Sequence, residues 1–470
     1  MEAMTTFPCS GSTTWWGTAP GTALEVWAAA HPLQVISQVY VETGAVDPKL
    51  YTDLDTVFMD GRSSGYVPLD IPADLRIPLT GIPVPTAIVH SDPDRVAANL
   101  EHWKKANDVD PTPRSHPGYF HGADLYLQRP DSKAWATAHG GPVSEVLLLH
   151  TDSPVLLPSF SETIHGFLSK FVSYDNTTAY GNHLALRKEY GEIRTMLVAG
   201  EIREFMVYEP KSASRIWPEG APVVFVFAGN SQTDKVFFHN TLWWQVADRE
   251  GFLLAIPCET YSRSSNTVSH ANTGEFYEKL AAFMKANHRV DPTRFYATGQ
   301  SAGSFAVQGF GITHPGYFAA IASTSGLSHP GEGGGFGQIA PADARYETIP
   351  NYCIIGEGDI DMMTGTLWDE TRNMLDAWAA YYLEANEAGP LGNGANLEQT
   401  GRFQTWTWTN AQGFPVFKVG RTLHRAHNCI PAEMPLLWDF LKHWSLKDGV
   451  RCYDGQPIAP AKESLRGLVQ

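Results

Sequence analysis

The sequence predicts an α/β protein with a mostly parallel central sheet and helices on both faces. Three observations carry that prediction. From Pro222 onward, short apolar runs alternate with amphipathic segments, the pattern of successive βαβ units. The first run, Pro222–Ala228 (PVVFVFA), is apolar without interruption, as strands buried on both faces are. The third is Arg294–Ser304 (RFYATGQSAGS), where a β-type segment enters Gly299-Gln300-Ser301-Ala302-Gly303 and then a small-residue helix, Ala302–Phe310. Gly-x-Ser-x-Gly at a strand-to-helix turn is also a chemical signal. The flanking glycines let the two backbones approach and leave the serine hydroxyl exposed over a helix N-terminus.

A chain of 470 residues exceeds one ordinary core, and a polar connection at 172–189 divides it into 1–190 and 191–470. Residues 1–75 are rich in Gly, Thr, Pro and Trp, with a helical patch near Ala23–Ala30, β-like pieces around Leu33–Val41 and no recognisable chemistry. Pro68–Pro85, holding five prolines, reads as extended connection. Pro85–Asp94 (PTAIVHSDPD) is a buried strand ending in polar residues, and Asp94–Ala106 an amphipathic helix. Ser144–His150 and Ser159–Phe171 repeat that strand-helix pattern. Pro350–Asp359 (PNYCIIGEGD) aligns with Pro85–Asp94 without a gap, and Leu436–Trp444 resembles Thr163–Phe171. A period of about 270 residues points to an N-terminal region that is a diverged partial copy of the second half of the C-terminal domain. The alternative is two independent strand-helix units. The N-terminal region carries no Gly-x-Ser-x-Gly and so no second nucleophile; a lid over the site is another role open to it.

The C-terminal part opens with a hairpin, Glu192–Gly200 against Glu201–Pro210. After Pro222–Ala228 come a helix (Phe237–Glu250), a strand (Phe252–Pro257), a helix (Gly274–His288), a turn at Asp291-Pro292 and the strand that leads into Ser301.

Composition narrows the function. With 43% apolar and 18% charged residues and no apolar run of the roughly 20 residues a membrane span requires, a membrane-spanning role is excluded. A net charge of -16 without a Lys/Arg cluster argues against a nucleic-acid partner and for a neutral or cationic substrate. Five scattered cysteines show no metal-site spacing, although Cys429 and Cys452 are a candidate bridge in an exported protein. The N-terminus lacks the basic and apolar regions of a signal peptide, so a cytoplasmic location is expected unless a signal has been removed.

Three segments, the hairpin end MVYEP, the strand PVVFVFAG and VDPTRFYATGQSAGSFAV, resemble the α/β-hydrolase serine esterases that include polyhydroxybutyrate depolymerases and feruloyl esterases. The resemblance spans about Glu192–Trp444. It implies an α/β-hydrolase fold with Ser301 as nucleophile and the Ala302 N–H as one oxyanion donor. The second donor is assigned to Asn230 in Ala228-Gly229-Asn230-Ser231, where the family often carries His-Gly and this chain has Ala-Gly. In this fold the acid and then the histidine follow the serine. Gly356-Glu357-Gly358-Asp359 matches the Gly and Asp of the family's His-Gly-x-x-Asp, which favours Asp359, with Asp361 and then Glu357 as alternates. His427, ahead of Pro431 and a helix from about Ala432, is the expected base, with His424 the alternate. Gly229, Gln300, Tyr261, Trp368 and Phe336, with Trp243 or Trp244, are candidate pocket residues. No metal or cofactor is implied. The expected activity is hydrolysis of polyester, feruloyl-type or small acyl esters through an acyl-enzyme. A peptidase or amidase with the same triad, and a non-catalytic binding protein, are the alternatives.

Overall fold

The computed structural model describes residues 13–17, 22–32, 35–41, 44–57, 78–115, 123–132, 142–151, 158–173, 184–230, 232–258, 260–262, 267–269, 273–332, 337–359, 374–389, 397–427 and 429–458. The chain forms two compact units, Met1–Glu189 and Tyr190–Gln470.

The first unit is built on six strands: β1 (Thr13–Gly17), β2 (Val35–Val41), β3 (Thr86–His90), β4 (Arg114–Ser115), β5 (Ala123–Leu127) and β6 (Glu145–His150). Their order is β1-β2-β3-β6-β5-β4. β1, β2, β3 and β6 run parallel, and β5 and β4 continue the sheet antiparallel. Alternation along each strand feeds two cores. Ile88 and Val146 pack with Ala28 of α1 (Thr22–Ala30), Tyr51 of α2 (Pro48–Leu54) and Trp103 of α3 (Pro93–Ala106). Ala87, Val89 and Leu147 pack with Ile164 and Phe167 of α4 (Pro158–Leu168). Asp92 caps α3 by accepting from the Asp94 N–H, with Pro93 in the first turn where its missing N–H costs nothing. The helix read as reaching Phe171 stops at Leu168. Phe171 instead opens β7 (Phe171–Ser173), paired antiparallel with β8 (Leu184–Leu186).

In the second unit, β9 (Glu192–Val198) and β10 (Glu201–Tyr208) form the anticipated hairpin, and both turn residues, Ala199 and Gly200, have positive φ, as a two-residue hairpin turn matching strand twist requires. A single turn, α5 (Ala213–Ile216), leads to β11 (Ala221–Phe227). The single helix expected at 237–250 is two, α6 (Asp234–Thr241) and α7 (Trp243–Glu250). Leu242 breaks it with φ 52°, and Thr233 caps α6 through the Val236 N–H. The break lets Phe237 and Phe238 on one side, and Trp243 and Val246 on the other, enter the same core. β12 (Leu253–Pro257), the pair β13 (Thr260–Ser262) and β14 (Thr267–Ser269), and α8 (Thr273–Asn287) precede β15 (Val290–Gly299). β15 begins before the Asp291-Pro292 step, because the register against β11 shifts between Ala221 and Val223 and so accommodates the proline.

After α9 (Ala302–Thr313) come β16 (Ala320–Thr324), the short pair β17 (His329–Pro330) and β18 (Gln338–Ile339), β19 (Asn351–Gly358), α10 (Met374–Ala385), β20 (Leu397–Thr400), β21 (Phe403–Trp408), β22 (Phe417–Ala426) and α11 (Met434–Leu441). A small antiparallel sheet, β23 (Trp444–Lys447), β24 (Val450–Tyr453) and β25 (Gln456–Pro457), follows. The main sheet has ten strands, ordered β20-β21-β22-β19-β16-β15-β11-β12-β10-β9. From β22 through β12 all six are parallel, and the outer strands are antiparallel. Val223, Phe225 and Phe227 face α8, α9 and α10, while Val224 and Val226 face α6, α7 and α11. The segments leaving β15, β19 and β22 therefore emerge at the same end of the sheet, the usual place for a site in a parallel α/β sheet.

The two sheets share a pattern. β1-β2-β3-β6-β5-β4 has the order and strand directions of β15-β16-β19-β22-β21-β20. In the first, Gly17 pairs with Tyr40 and Tyr40 with Ile88. In the second, Gly299, one step before the Gln300–Thr324 bridge, is level with Ser323, which pairs with Cys353. Ile88 and Cys353 also correspond in the gapless alignment of Pro85–Asp94 with Pro350–Asp359.

Candidate active site

The turn between β15 and α9 is held by close approach. A Cβ built on Gly299 would lie 2.4 Å from the Gly303 carbonyl carbon, and one on Gly303 would lie 2.0 Å from the Phe227 carbonyl oxygen of β11. Only glycine fits at both positions, so strand and helix pass with backbones in contact. Ser301 between them is forced to φ 51°, ψ -117°, a strained region for a residue with a side chain. The turn is locked by Ser301 N–H to Thr324 O (3.1 Å), Gly303 N–H to Gln300 O (2.9 Å) and Phe305 N–H to Ser301 O (2.9 Å).

The carboxylate comes from the end of β19. Its register with β22 slips between Gly356 and Gly358, which pairs with Ala426. This irregularity carries Asp359 just past the strand, where it is fully buried. Asp359 Oδ2 accepts from the Gly356 N–H at 2.8 Å and from the Ser325 hydroxyl at 2.9 Å. Burial alone would raise the pKa of Asp359, but His427, Arg425 and the Gly356 N–H together hold it below the ordinary carboxylate value.

His427 follows β22 directly. Its Nδ1 lies 2.5 Å from Asp359 Oδ1 and its Nε2 2.9 Å from Ser301 Oγ. An ionised carboxylate only accepts, so Nδ1 carries the proton and Nε2 is left to accept from the serine hydroxyl. The alternate histidine has another partner: the backbone N–H of His424 donates to Glu357 Oε2 at 2.7 Å, and its ring Nδ1 lies 3.5 Å from the same oxygen. Asp361, Trp368 and Phe336 lie outside the described residues, and Tyr261 is described only as part of β13.

No protein-family model matches the sequence. Among curated proteins, the chain is 22% identical over 247 residues to the bifunctional acetylxylan esterase/xylanase XynS20E of Neocallimastix patriciarum, covering 53% of this chain and 34% of that protein. It is 29% identical over 119 residues to poly(3-hydroxyalkanoate) depolymerase C of Paucimonas lemoignei, covering 23% of this chain and 28% of that protein. The chain thus spans about a third or less of these relatives. Among solved structures, an acetyl xylan esterase from Aspergillus awamori matches at 13% identity and TM-score 0.39, covering 54% of this chain and 99% of that one. An S-formylglutathione hydrolase from Agrobacterium tumefaciens matches at 13% identity and TM-score 0.37, covering 55% and 97%. On its own topology, six parallel strands with a helical layer on each face and a sharp strand-to-helix turn at Ser301, the second unit has the α/β-hydrolase arrangement.

Other expected residues of the second unit fall near the elbow or away from it. Ala302 is the first residue of α9, and Asn230 is exposed in the loop after β11. The Gly229 N–H donates to Gln232 Oε1 at 3.1 Å, and a Cβ on Gly229 would fall 2.2 Å from Oε1 of the buried Gln300, which packs over it. Trp243 is a core residue rather than a pocket wall, fully buried against Phe252, and Trp244 packs on the same core. Cys429 and Cys452 are not joined by a disulfide, so the bridge considered from sequence does not form. Away from the elbow, Glu204, Asp234 and Cys258 bring ligand atoms within 4.8 Å of one another, but the Lys235 ammonium ion-pairs with Glu204 and lies 3.5 Å from Asp234, supplying the cation itself.

Sequence reasoning missed Ser325, Arg425 and Glu433. Arg425 lies two residues before His427 and reads in sequence like a surface arginine, yet it is fully buried and bonded to Ser325. Only the Pro431-Ala432-Glu433 step hinted at Glu433.

The glycine contacts make a paired stability test. Gly303→Ala should lower the unfolding midpoint of the second unit by an amount equivalent to about 1–3 kcal/mol or more. Gly309→Ala, whose new methyl would meet only Ile339 Cδ1 at 3.6 Å, should leave it unchanged or raise it by up to about 1 kcal/mol. Calorimetry of both variants checks the contrast.

Proposed function

We propose that the hydrolase unit cleaves carboxylic esters through an acyl-enzyme on Ser301. The observation that carries the reading is the continuous contact from Ser301 Oγ through the His427 ring to the buried Asp359. His427 Nε2 takes the serine proton as Oγ attacks the ester carbonyl, Asp359 stabilises the resulting imidazolium, and the oxyanion lies against the N–H of Ala302 at the start of α9 and that of Asn230 in the loop after β11. His427 then protonates the departing alkoxide, and a water activated by the same nitrogen releases the acid. Acetylxylan and poly(3-hydroxyalkanoate), the substrates named for two relatives, are both polymers carrying aliphatic ester bonds. The proposed substrates are therefore neutral aliphatic esters, a class that a chain of net charge -16 does not repel.

We further propose that residues 1–189 are a diverged copy of the half-sheet β15 to β20. The matching strand order supports this, as does the register that sets Gly17 level with Gly299. After Gly17 the sequence runs Thr18-Ala19-Pro20-Gly21, where the elbow runs Gln300-Ser301-Ala302-Gly303. Aligning Thr163–Phe171 with Leu436–Trp444 also brings Pro158 onto Pro431 and Pro154 onto His427. Alanine and proline stand where nucleophile and base would be, so the copy contributes no catalytic group.

Turnover of short p-nitrophenyl esters is the first test. Ser301→Ala and His427→Ala should each lower kcat/KM by about 10⁴-fold or more, and His424→Ala by less than about tenfold. Equal losses at the two histidines would exclude His427 as the base. Asn230→Pro removes a main-chain donor and should cost about 10²–10³ in kcat, while Asn230→Ala keeps it and should cost far less. A fluorophosphonate probe should label one site per chain, Ser301, as read by peptide mass spectrometry. Label on any residue of 1–189 would contradict the non-catalytic copy.

A further inference from the structure

Arg425 is enclosed to 1% exposure and ion-paired through Nε with the fully buried Glu433 at 2.7 Å. Its Nη1 donates to Ser325 Oγ at 2.8 Å, and its Nη2 to the Ile354 carbonyl at 3.2 Å. Glu433 also accepts from the Thr422 hydroxyl at 2.5 Å and the Ile430 N–H at 3.1 Å, so the arginine's partner is itself anchored. A guanidinium only donates, so the lone pairs of Ser325 receive it and the single hydroxyl proton must point elsewhere. It points to Asp359 Oδ2, 2.9 Å away. Ser325 is held for this in a left-handed backbone conformation, φ 54°, with its N–H on Ile354 O at 2.9 Å.

We propose that Arg425 and Ser325 are positioning residues for the triad: the anchored guanidinium fixes the direction of the Ser325 hydroxyl, which with the Gly356 N–H fixes Asp359 and through it the ring of His427. The inference rests on reading Ser301, His427 and Asp359 as catalytic. It gives the carboxylate two donors on Oδ2 and leaves Oδ1 for the histidine, so the acid has one orientation and one partner for its reactive edge. Among the described residues, the charged groups that act on Asp359 are His427 and Arg425, with Glu433 behind the arginine. The irregular step at Glu357 pairs with His424 instead.

Ser325→Ala removes one donor to Asp359 and leaves the fold's ion pair intact. It should lower kcat for a p-nitrophenyl ester by about tenfold at unchanged KM, and slow fluorophosphonate labelling of Ser301 to the same degree. In an Asp359→Asn background the same change should cost less than about twofold, because residues acting through one another are not additive. Arg425→Lys keeps the charge but loses the fork and should fall between wild type and Arg425→Met. A kcat for Ser325→Ala within twofold of wild type, or an equal fold-loss in both backgrounds, overturns the proposal while leaving the esterase reading standing. A folded wild type that neither labels nor turns over ester overturns both. If Arg425→Met does not fold, the Ser325→Ala cycle decides alone.

Discussion

The site depends on how closely the β15–α9 connection passes β11. Two glycines bring three pieces of backbone within contact distance, and the residue trapped between them is obliged to adopt a positive φ. Strain of this kind costs about 1–3 kcal/mol, and it persists only where the surroundings over-determine it. Here the surroundings are the main-chain bonds to Thr324 and Gln300 and a sheet with a core on each face. The serine oxygen consequently has one position relative to the sheet, and the rest of the site has to be built to meet it.

The sheet meets it by adjacency. β15, β16, β19 and β22 are consecutive neighbours running in one direction, so the chain leaves three of them at the same end with Ser301, Asp359 and His427. The intervening strand, β16, hands over at its end to Ser325, whose hydroxyl holds the acid. All four strands thus contribute at that edge, and the distance across the site is set by strand spacing rather than by loops.

What could be read in the sequence was local. The unbroken apolar run before Gly229, the glycine pair around Ser301, the Gly-x-x-Asp at a strand end and the histidine before Pro431 each lie within a few residues, where spacing translates directly into geometry. Helix lengths were less legible: the amphipathic pattern from Phe237 to Glu250 continues through Leu242, and only backbone conformation reveals the break. The support of the acid was not legible at all. Ser325 and Arg425 are separated by 100 positions, and neither belongs to a motif; they meet because β16 and β22 flank β19. The likeness of the two sheets lies between these cases. Sequence hinted at it through two short alignments, and the pairing register extends it to Gly17, a residue no short alignment reached.

The two buried carboxylates flanking Arg425 bind protons in opposite senses. Asp359 has a folded-state pKa below its unfolded value, so it contributes stability that is present above the unfolded pKa and is lost as pH falls through the folded one. For Glu433, burial outweighs Arg425 and its hydrogen bonds and raises the pKa, so its contribution is complete below the unfolded value and is lost as pH rises through the folded one. Acidification thus releases one carboxylate from its burden while loosening the other. His427 first, and the arginine after it, keep Asp359 charged, and the carboxylate behind the arginine carries the energetic cost of that arrangement into neutral solution.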